Sequence, residues 1–301
     1  MHLRAPRPAL RPFIGQLWVS HSHDIPACRR EHVLPTGQMH MVFRLGGPAL
    51  RVFADADDAQ GSTIATPVLG GVRTGFYVKE VAGHVVSVGV QLLPGAAQAL
   101  FGVSAAELAE RHTPLPELWG VSAESLLQQL AQEGDPRRQM VLLESFLAAR
   151  LPATPVLHPR VVHALAACAQ GARVDDMVTQ SGYSHRGFIA LFRHATGMSP
   201  KRYLRLLRFQ SVLAAMRENP AASLSASALG AGYSDQAHMT REFTECAGIT
   251  PSRYRQLAPV AAHHVAVAGA ETSNFFKTGR LGHVTVATHV FISTTGRHHD
   301  P

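Results

Sequence analysis

Cysteine is scarce in this chain of 301 residues, and the three that occur, Cys28, Cys168 and Cys246, lie far apart. An odd number without C-x-x-C spacing argues against a disulfide framework and against a cysteine-ligated zinc site, and it suits a reducing compartment. Long apolar runs are missing too. No window reaches about 18 uninterrupted apolar residues, and the opening "MHLRAPRPALRPF" has no apolar stretch of the signal-peptide kind. The expectation is a cytoplasmic protein with no membrane segment. G-x-S-x-G, the P-loop and H-E-x-x-H are absent as well, so no nucleophile, base and orienting group can be assembled. No enzyme activity, cofactor or metal is expected.

One stretch is short of acid. Residues 1–154 hold 13 Lys/Arg and 13 Asp/Glu, residues 155–257 hold 12 and 6, and residues 258–301 hold 3 and 2. The net charge of +7 is thus concentrated in the middle segment, where a phosphate-binding surface would need it.

The same segment says nearly the same thing twice. "SGYSHRGFIALFRHATGMSPKRYLR" at Ser181–Arg205 returns as "AGYSDQAHMTREFTECAGITPSRYR" at Ala231–Arg255. Gly182-Tyr183-Ser184 aligns with Gly232-Tyr233-Ser234 at an offset of 50; after one extra residue, Phe192, Gly197, Pro200 and Tyr203 align with Phe243, Gly248, Pro251 and Tyr254 at 51. A repeated structural unit follows. In each copy an apolar-periodic helix, "RVDDMVTQ" or "SLSASALGA", runs into a Gly suited to a tight turn. A core Tyr follows, then a Ser, Ser184 or Ser234, as N-cap of the next helix.

That next helix carries a core stripe and a free stripe. In the first copy Phe188, Leu191, Phe192 and Ala195 face the core, and Arg186, Ile189, Ala190 and Arg193 face out. In the second, Met239 and Phe243 face in, and Gln236, Ala237, Thr240, Arg241 and Thr244 face out. A capped helix with small or donor-rich residues outward is what a major groove admits. Between the copies "PKRYLRLLRFQSVLAAMRE" reads as a long spacer helix with Lys201, Arg205 and Arg208 on one edge. Two such helices about 34 Å apart would enter successive major grooves of double-stranded DNA.

This pattern, from His158 to Arg255, resembles the C-terminal DNA-binding domain of the AraC/XylS family of bacterial transcriptional regulators. The resemblance implies base contacts from Arg186, Ile189 and Ala190 in the first helix and from Gln236, Ala237, His238 and Arg241 in the second. Ile189 and Ala190 can touch a thymine methyl but cannot hydrogen-bond a base, so the second helix is expected to do more of the direct reading. Ser184, Arg193, Lys201, Arg205, Arg208, Ser234 and Thr240 are assigned to phosphates.

Residues from about Phe13 to Leu93 read as short strands separated by Gly, Pro and Asp-rich breaks, and helices follow to about Leu151. "LPTGQMHMVFRLGG" and "VGVQLLPGAAQALFGVSAAELAERHTPLPELWG" resemble the β-rich, cupin-like sensor of a subgroup of these regulators. The resemblance implies a small-molecule effector, a homodimer and contact with RNA polymerase, as activator or repressor. Trp18, His40, Phe43, Phe76 and Tyr77 are candidates for an effector pocket, with core packing the competing role for the rings. A cupin-type small-molecule or metal enzyme joined to a DNA-binding domain is the alternative. "PTGQMH", ending at His40, fits part of a metal-cupin motif, and His21-x-His23 a second part. Yet Glu31 lies eight positions beyond His23, and Arg44 stands where an Asn is expected.

The expected architecture is therefore a multidomain α and β protein. A β-rich cupin-like domain with appended helices spans 1–154, a double helix-turn-helix domain spans 155–257, and 258–301 is a mobile tail.

Overall fold

The computed structural model describes residues 1–22, 29–55, 58–81, 83–152 and 157–267. Cys28, His23 and most of the expected tail, including its alternating "HVTVATHVFIS", lie outside the described residues.

The N-terminal strands are β1 (His2–Arg4), β2 (Ile14–Ser22), β3 (Arg29–Val33), β4 (Met39–Gly46), β5 (Leu50–Phe53), β6 (Ser62–Ile64), β7 (Val68–Gly70), β8 (Tyr77–Val81), β9 (Val85–Leu92) and β10 (His112–Pro114). A final strand, β11 (His264–Val267), arrives from the far end of the chain. They form two antiparallel sheets, ordered β1-β2-β9-β4-β7-β10 and β11-β3-β8-β5-β6. The period-2 alternation that marks β2 and β4 in the sequence separates two faces. Leu17, Val19, Met41, Phe43, Val88 and Val90 are fully buried on one of them.

That apolar face is covered by helices. The appended set is α1 (Ala96–Phe101), α2 (Ala105–Leu108), α3 (Pro116–Trp119), α4 (Val121–Gln132) and α5 (Pro136–Ala148). α4 lies against β4 and α5 against β2, with Leu126, Leu130, Leu143 and Leu147 completing the cluster. α5 begins where the sequence directs: Asp135 accepts from Arg137 N at 2.9 Å and Pro136 stands at the first turn. Its buried Glu144 takes Arg4 at 2.9 Å and the Arg7 backbone N–H at 2.6 Å, pinning the N-terminal segment to the helix.

Seven helices follow: α6 (Pro159–Ala169), α7 (Val174–Ser181), α8 (His185–Thr196), α9 (Pro200–Glu218), α10 (Leu224–Gly230), α11 (Gln236–Ala247) and α12 (Pro251–Leu257). The first half of this bundle has a core of its own in Ala164, Cys168, Met177, Phe188 and Phe192. The second half, with Phe209, Val212, Leu213, Met239, Phe243 and Tyr254, is continuous with the core of the β-rich domain.

The expected mobile tail is corrected for its first ten residues. After α12 the chain turns back, Tyr254 Oη donates to Ala262 O at 3.0 Å, and β11 pairs antiparallel with β3 from His264↔Val33 to Val267↔Arg30. Val265 is buried. The short alternation of "HVAV" supplies an apolar residue on one side and donors along its edge, enough to extend a sheet whose β3 was otherwise open.

Candidate nucleic-acid interface

In the first repeat α7 ends at Gly182, whose φ of +71° is the left-handed turn that a Cβ resists. Ser184 then caps α8, accepting from Gly187 N at 3.2 Å. Arg186, Ala190 and Arg193 are exposed and Ile189 is half-buried, while Phe188 and Phe192 are fully buried. Tyr183 departs from expectation. It is 44% exposed and reaches outward to His158 Nε2 at 3.3 Å, because His158, the cap of α6, offers its hydroxyl a partner at the surface.

The second repeat has the same turn at Gly232, with φ +80°, but the extra residue moves the cap. Asp235, not Ser234, accepts from the backbone N–H of His238 at 2.7 Å; Ser234 donates to the Asp235 carboxylate at 3.0 Å. These bonds hold the Asp235 carboxyl below the usual carboxylate range, the His238 amide first among them. Gln236, Ala237 and Arg241 are exposed and Thr240 is half-buried. Gln236 Oε1 accepts from Ser225 on α10 at 2.7 Å, which fixes its amide at the entrance of the helix.

Three expected contacts are drawn inward instead. Glu242 on α11 pairs with Arg208 at 3.0 Å and Arg205 at 3.9 Å, and His238 Nε2 lies 3.5 Å from it. Arg205 also pairs with Glu245. His238 is held edge-on against the buried Tyr233 ring, whose other neighbour is the Arg208 guanidinium. α9 and α11 both place these side chains in the crevice between them, so the arginines lace the second unit to the spacer. Lys201 and Arg193 remain exposed and appear in no ion pair among the described residues. The spacer α9 has 19 residues, about 28 Å at 1.5 Å per residue.

The matched glycines that end the two recognition helices both meet the β-rich domain. A Cβ built on Gly197, φ +82°, would come within 2.4 Å of Val72 Cγ1. On Gly248, φ +71°, it would come within 2.5 Å of the Phe76 ring. Carbonyls of the last turns are taken by donors from across the boundary. Gly95 N reaches Ala195 O at 3.0 Å, Ser104 Oγ reaches His194 O at 3.3 Å, and His32 Nδ1 reaches Ala247 O at 2.9 Å. Three carbonyls at the C-termini of the two helices are thereby satisfied from the β-rich domain.

Comparison with known proteins places residues 160–257 in a helix-turn-helix domain family. This part of the chain is an AraC-type helix-turn-helix domain. Residues 2–114 match a domain of unknown function (DUF6597). An uncharacterized HTH-type transcriptional regulator of Haemophilus influenzae is 31% identical over 83 residues, 28% of this chain and 28% of that protein. The chain therefore spans under a third of that relative's length. Among solved structures, ToxT from Vibrio cholerae is similar over 80% of this chain and 98% of its own, with TM-score 0.44 and 9% identity. Unsaturated fatty acid bound ToxT is similar over 79% and 94%, with TM-score 0.43 and 11% identity.

The five residues expected at an effector pocket do not converge. Phe43 lies on the helix-covered face of its sheet, fully buried. Trp18 and His40 lie on the opposite face, with the Trp18 ring over Gly89. Phe76 stacks on His32 at 4.3 Å between ring centres, beside the AraC-type domain. His40 and Tyr77 do point between the two sheets, and His112 and Arg73 join them: His40, Gly70 and His112 share one row of β4, β7 and β10. Tyr77 lies edge-on to His112 at 5.0 Å. His112 and Arg73 were not singled out from sequence, since neither falls in a recognisable pattern.

Burial, then the charge of His264, pulls His40 down to about 4. Burial, then Arg73 and Lys79, does the same to His112. Both imidazoles are therefore neutral near pH 7. His40 Nε2 lies 2.9 Å from Thr36 Oγ1, and Glu31 is paired with Lys79 at 2.9 Å and with His264 at 2.6 Å. Among the described residues no group of three or more His, Cys, Asp or Glu is arranged to hold a metal ion, and no helix is long and apolar enough to cross a membrane. Cys168 and Cys246 are buried free thiols, pushed up by burial to about 12 and about 11, which makes them inert packing residues.

Proposed function

We propose that the protein is a cytoplasmic, sequence-specific transcriptional regulator. In this reading α8 and α11 enter successive major grooves of one duplex, and the β-rich domain sets how they are held. The observation that carries it is the shared docking of Gly197 and Gly248: one segment, Val72 to Phe76, supports the ends of both recognition helices. Arg186, Ile189 and Ala190 contact bases from α8, and Gln236, Ala237 and Arg241 from α11. Ser184, Arg193, Lys201 and Thr240 face phosphates. Ser234, Arg205, Arg208 and His238 act at one remove, by positioning α11.

A small-molecule effector enters between the two sheets at His40 and Tyr77 in the same reading. A homodimer through the β-rich domain and a contact with RNA polymerase are taken over from the resemblance, and no catalysis is assigned. Selecting duplexes from a random pool with the full-length protein tests the core of it. A recovered motif with two half-sites about one helical turn apart is expected; recovery of no preferred sequence at physiological salt would overturn it.

A further inference from the structure

Arg73 has no counter-ion among the described residues. Its Cζ lies 4.8 Å from the centre of the Tyr77 ring, and its Nη2 lies 3.3 Å from His112 Nδ1. Its Nε is buried with no hydrogen-bond partner. Among the described residues no carboxylate comes within ion-pair distance of it. Glu110, on the neighbouring strand connection, is engaged by Thr74, whose backbone N–H and hydroxyl donate to it at 2.9 and 2.7 Å. Glu31 is held by Lys79 and His264. Neither neighbour of Arg73 carries charge, since burial keeps the Tyr77 phenol protonated and His112 neutral at pH 7. A half-buried guanidinium facing a ring and a neutral imidazole is costly unless an anion completes it. The remaining N–H groups at the Nη end of this half-buried guanidinium match the oxygens of a carboxylate.

We infer that Arg73, with His112 and Tyr77 beside it, is the seat of a small organic carboxylate bound between the two sheets. His112, accepting from Arg73, keeps the guanidinium plane fixed, and the Tyr77 ring supplies an apolar floor. The position has a consequence for the reading proposed above, on which this step alone rests. Arg73 follows Val72 and precedes Phe76, so a ligand drawing on its guanidinium pulls on the segment that seats Gly197 and Gly248. Carboxylate binding and duplex affinity are then linked, each changing the other by the same factor.

Thermal unfolding of the full chain, at constant ionic strength, with acetate, succinate and benzoate against acetamide, succinamide and benzamide tests the seat. A saturable rise in Tm with at least one carboxylate and none with its amide is expected. Arg73→Met should abolish that rise while melting no lower than the parent without ligand. A lower-melting Arg73→Met would show that the guanidinium is already paired, and would overturn the inference. So would the absence of a rise with all three carboxylates, or an equal rise with inorganic phosphate. Duplex selection with the same two proteins separates the claims: no carboxylate response in the parent, with its duplex preference intact, removes this inference alone, and absence of duplex preference in the parent removes the regulator reading.

Discussion

Gly248, the residue that ends the second recognition helix, lies so close to Phe76 that a Cβ on it would stand 2.5 Å from the ring. Gly182 has the same φ of +71° but open space around it. The two therefore separate backbone strain from docking. Gly182→Ala should cost about 1–2 kcal/mol, the left-handed penalty alone. Gly248→Ala should cost about 1–3 kcal/mol more, because the ring must move or the domains part. Urea unfolding of the two variants measures the difference, and equal losses would show that Phe76 does not bear on the helix end.

Arg241 is exposed on α11 with Gln236 and Ala237 one turn before it. Arg241→Ala is expected to weaken binding to the selected duplex by about 1–3 kcal/mol and to relax preference at one base pair. Lys201→Ala should instead weaken all duplexes alike and lower the salt slope by about 1. Titrations on the selected site and on single-base variants, at two salt concentrations, distinguish the two patterns.

Much of this surface could be read from the sequence because its signals are local. Gly182 and Gly232 mark turns, the Phe188–Phe192 spacing marks a buried stripe, and the paired Gly197 and Gly248 mark helix ends. The cap of α11 was misread by one position, since Ser and Asp both cap well and the extra residue puts both in reach. The ion pairs of Arg205 and Arg208 were missed for a deeper reason. Helical periodicity shows which edge of α9 they share, but not that α11 brings Glu242 against that edge. Pairings distant in sequence escaped altogether: β11 on β3, and His112 opposite Gly70, in one row with His40. Each is a three- or four-residue strand with too little alternation to announce itself.

Glu242 holds Arg205, Arg208 and His238 at once. Its removal leaves the half-buried Arg208 without an ion pair among the described residues and Arg205 with Glu245 alone, so Glu242→Ala should lower stability by about 1–3 kcal/mol. The freed Arg208 should also raise affinity for any duplex and steepen its salt dependence. Arg205→Ala should leave the salt slope unchanged. A uniform loss of affinity in Arg205→Ala, with a shallower slope, would return that residue to the phosphate contacts.

Acid should unfold the protein in two stages. His40, His112 and His263 are each brought by burial from an ordinary 6.5 to about 4. Between those values the unfolded chain takes up protons that the native state refuses, so stability is full above about pH 6.5 and falls as pH drops towards 4. Glu31 acts lower. Burial raises its carboxyl, but His264 and Lys79 outweigh that and hold it at about 2, down from 4.5. Its contribution is present above about pH 4.5 and is lost towards pH 2. Urea midpoints measured from pH 7.5 to 3 should trace both slopes. His112→Asn should flatten the upper one and leave the lower in place, whereas Glu31→Gln should lower the midpoint at neutral pH and flatten only the slope below pH 4.5.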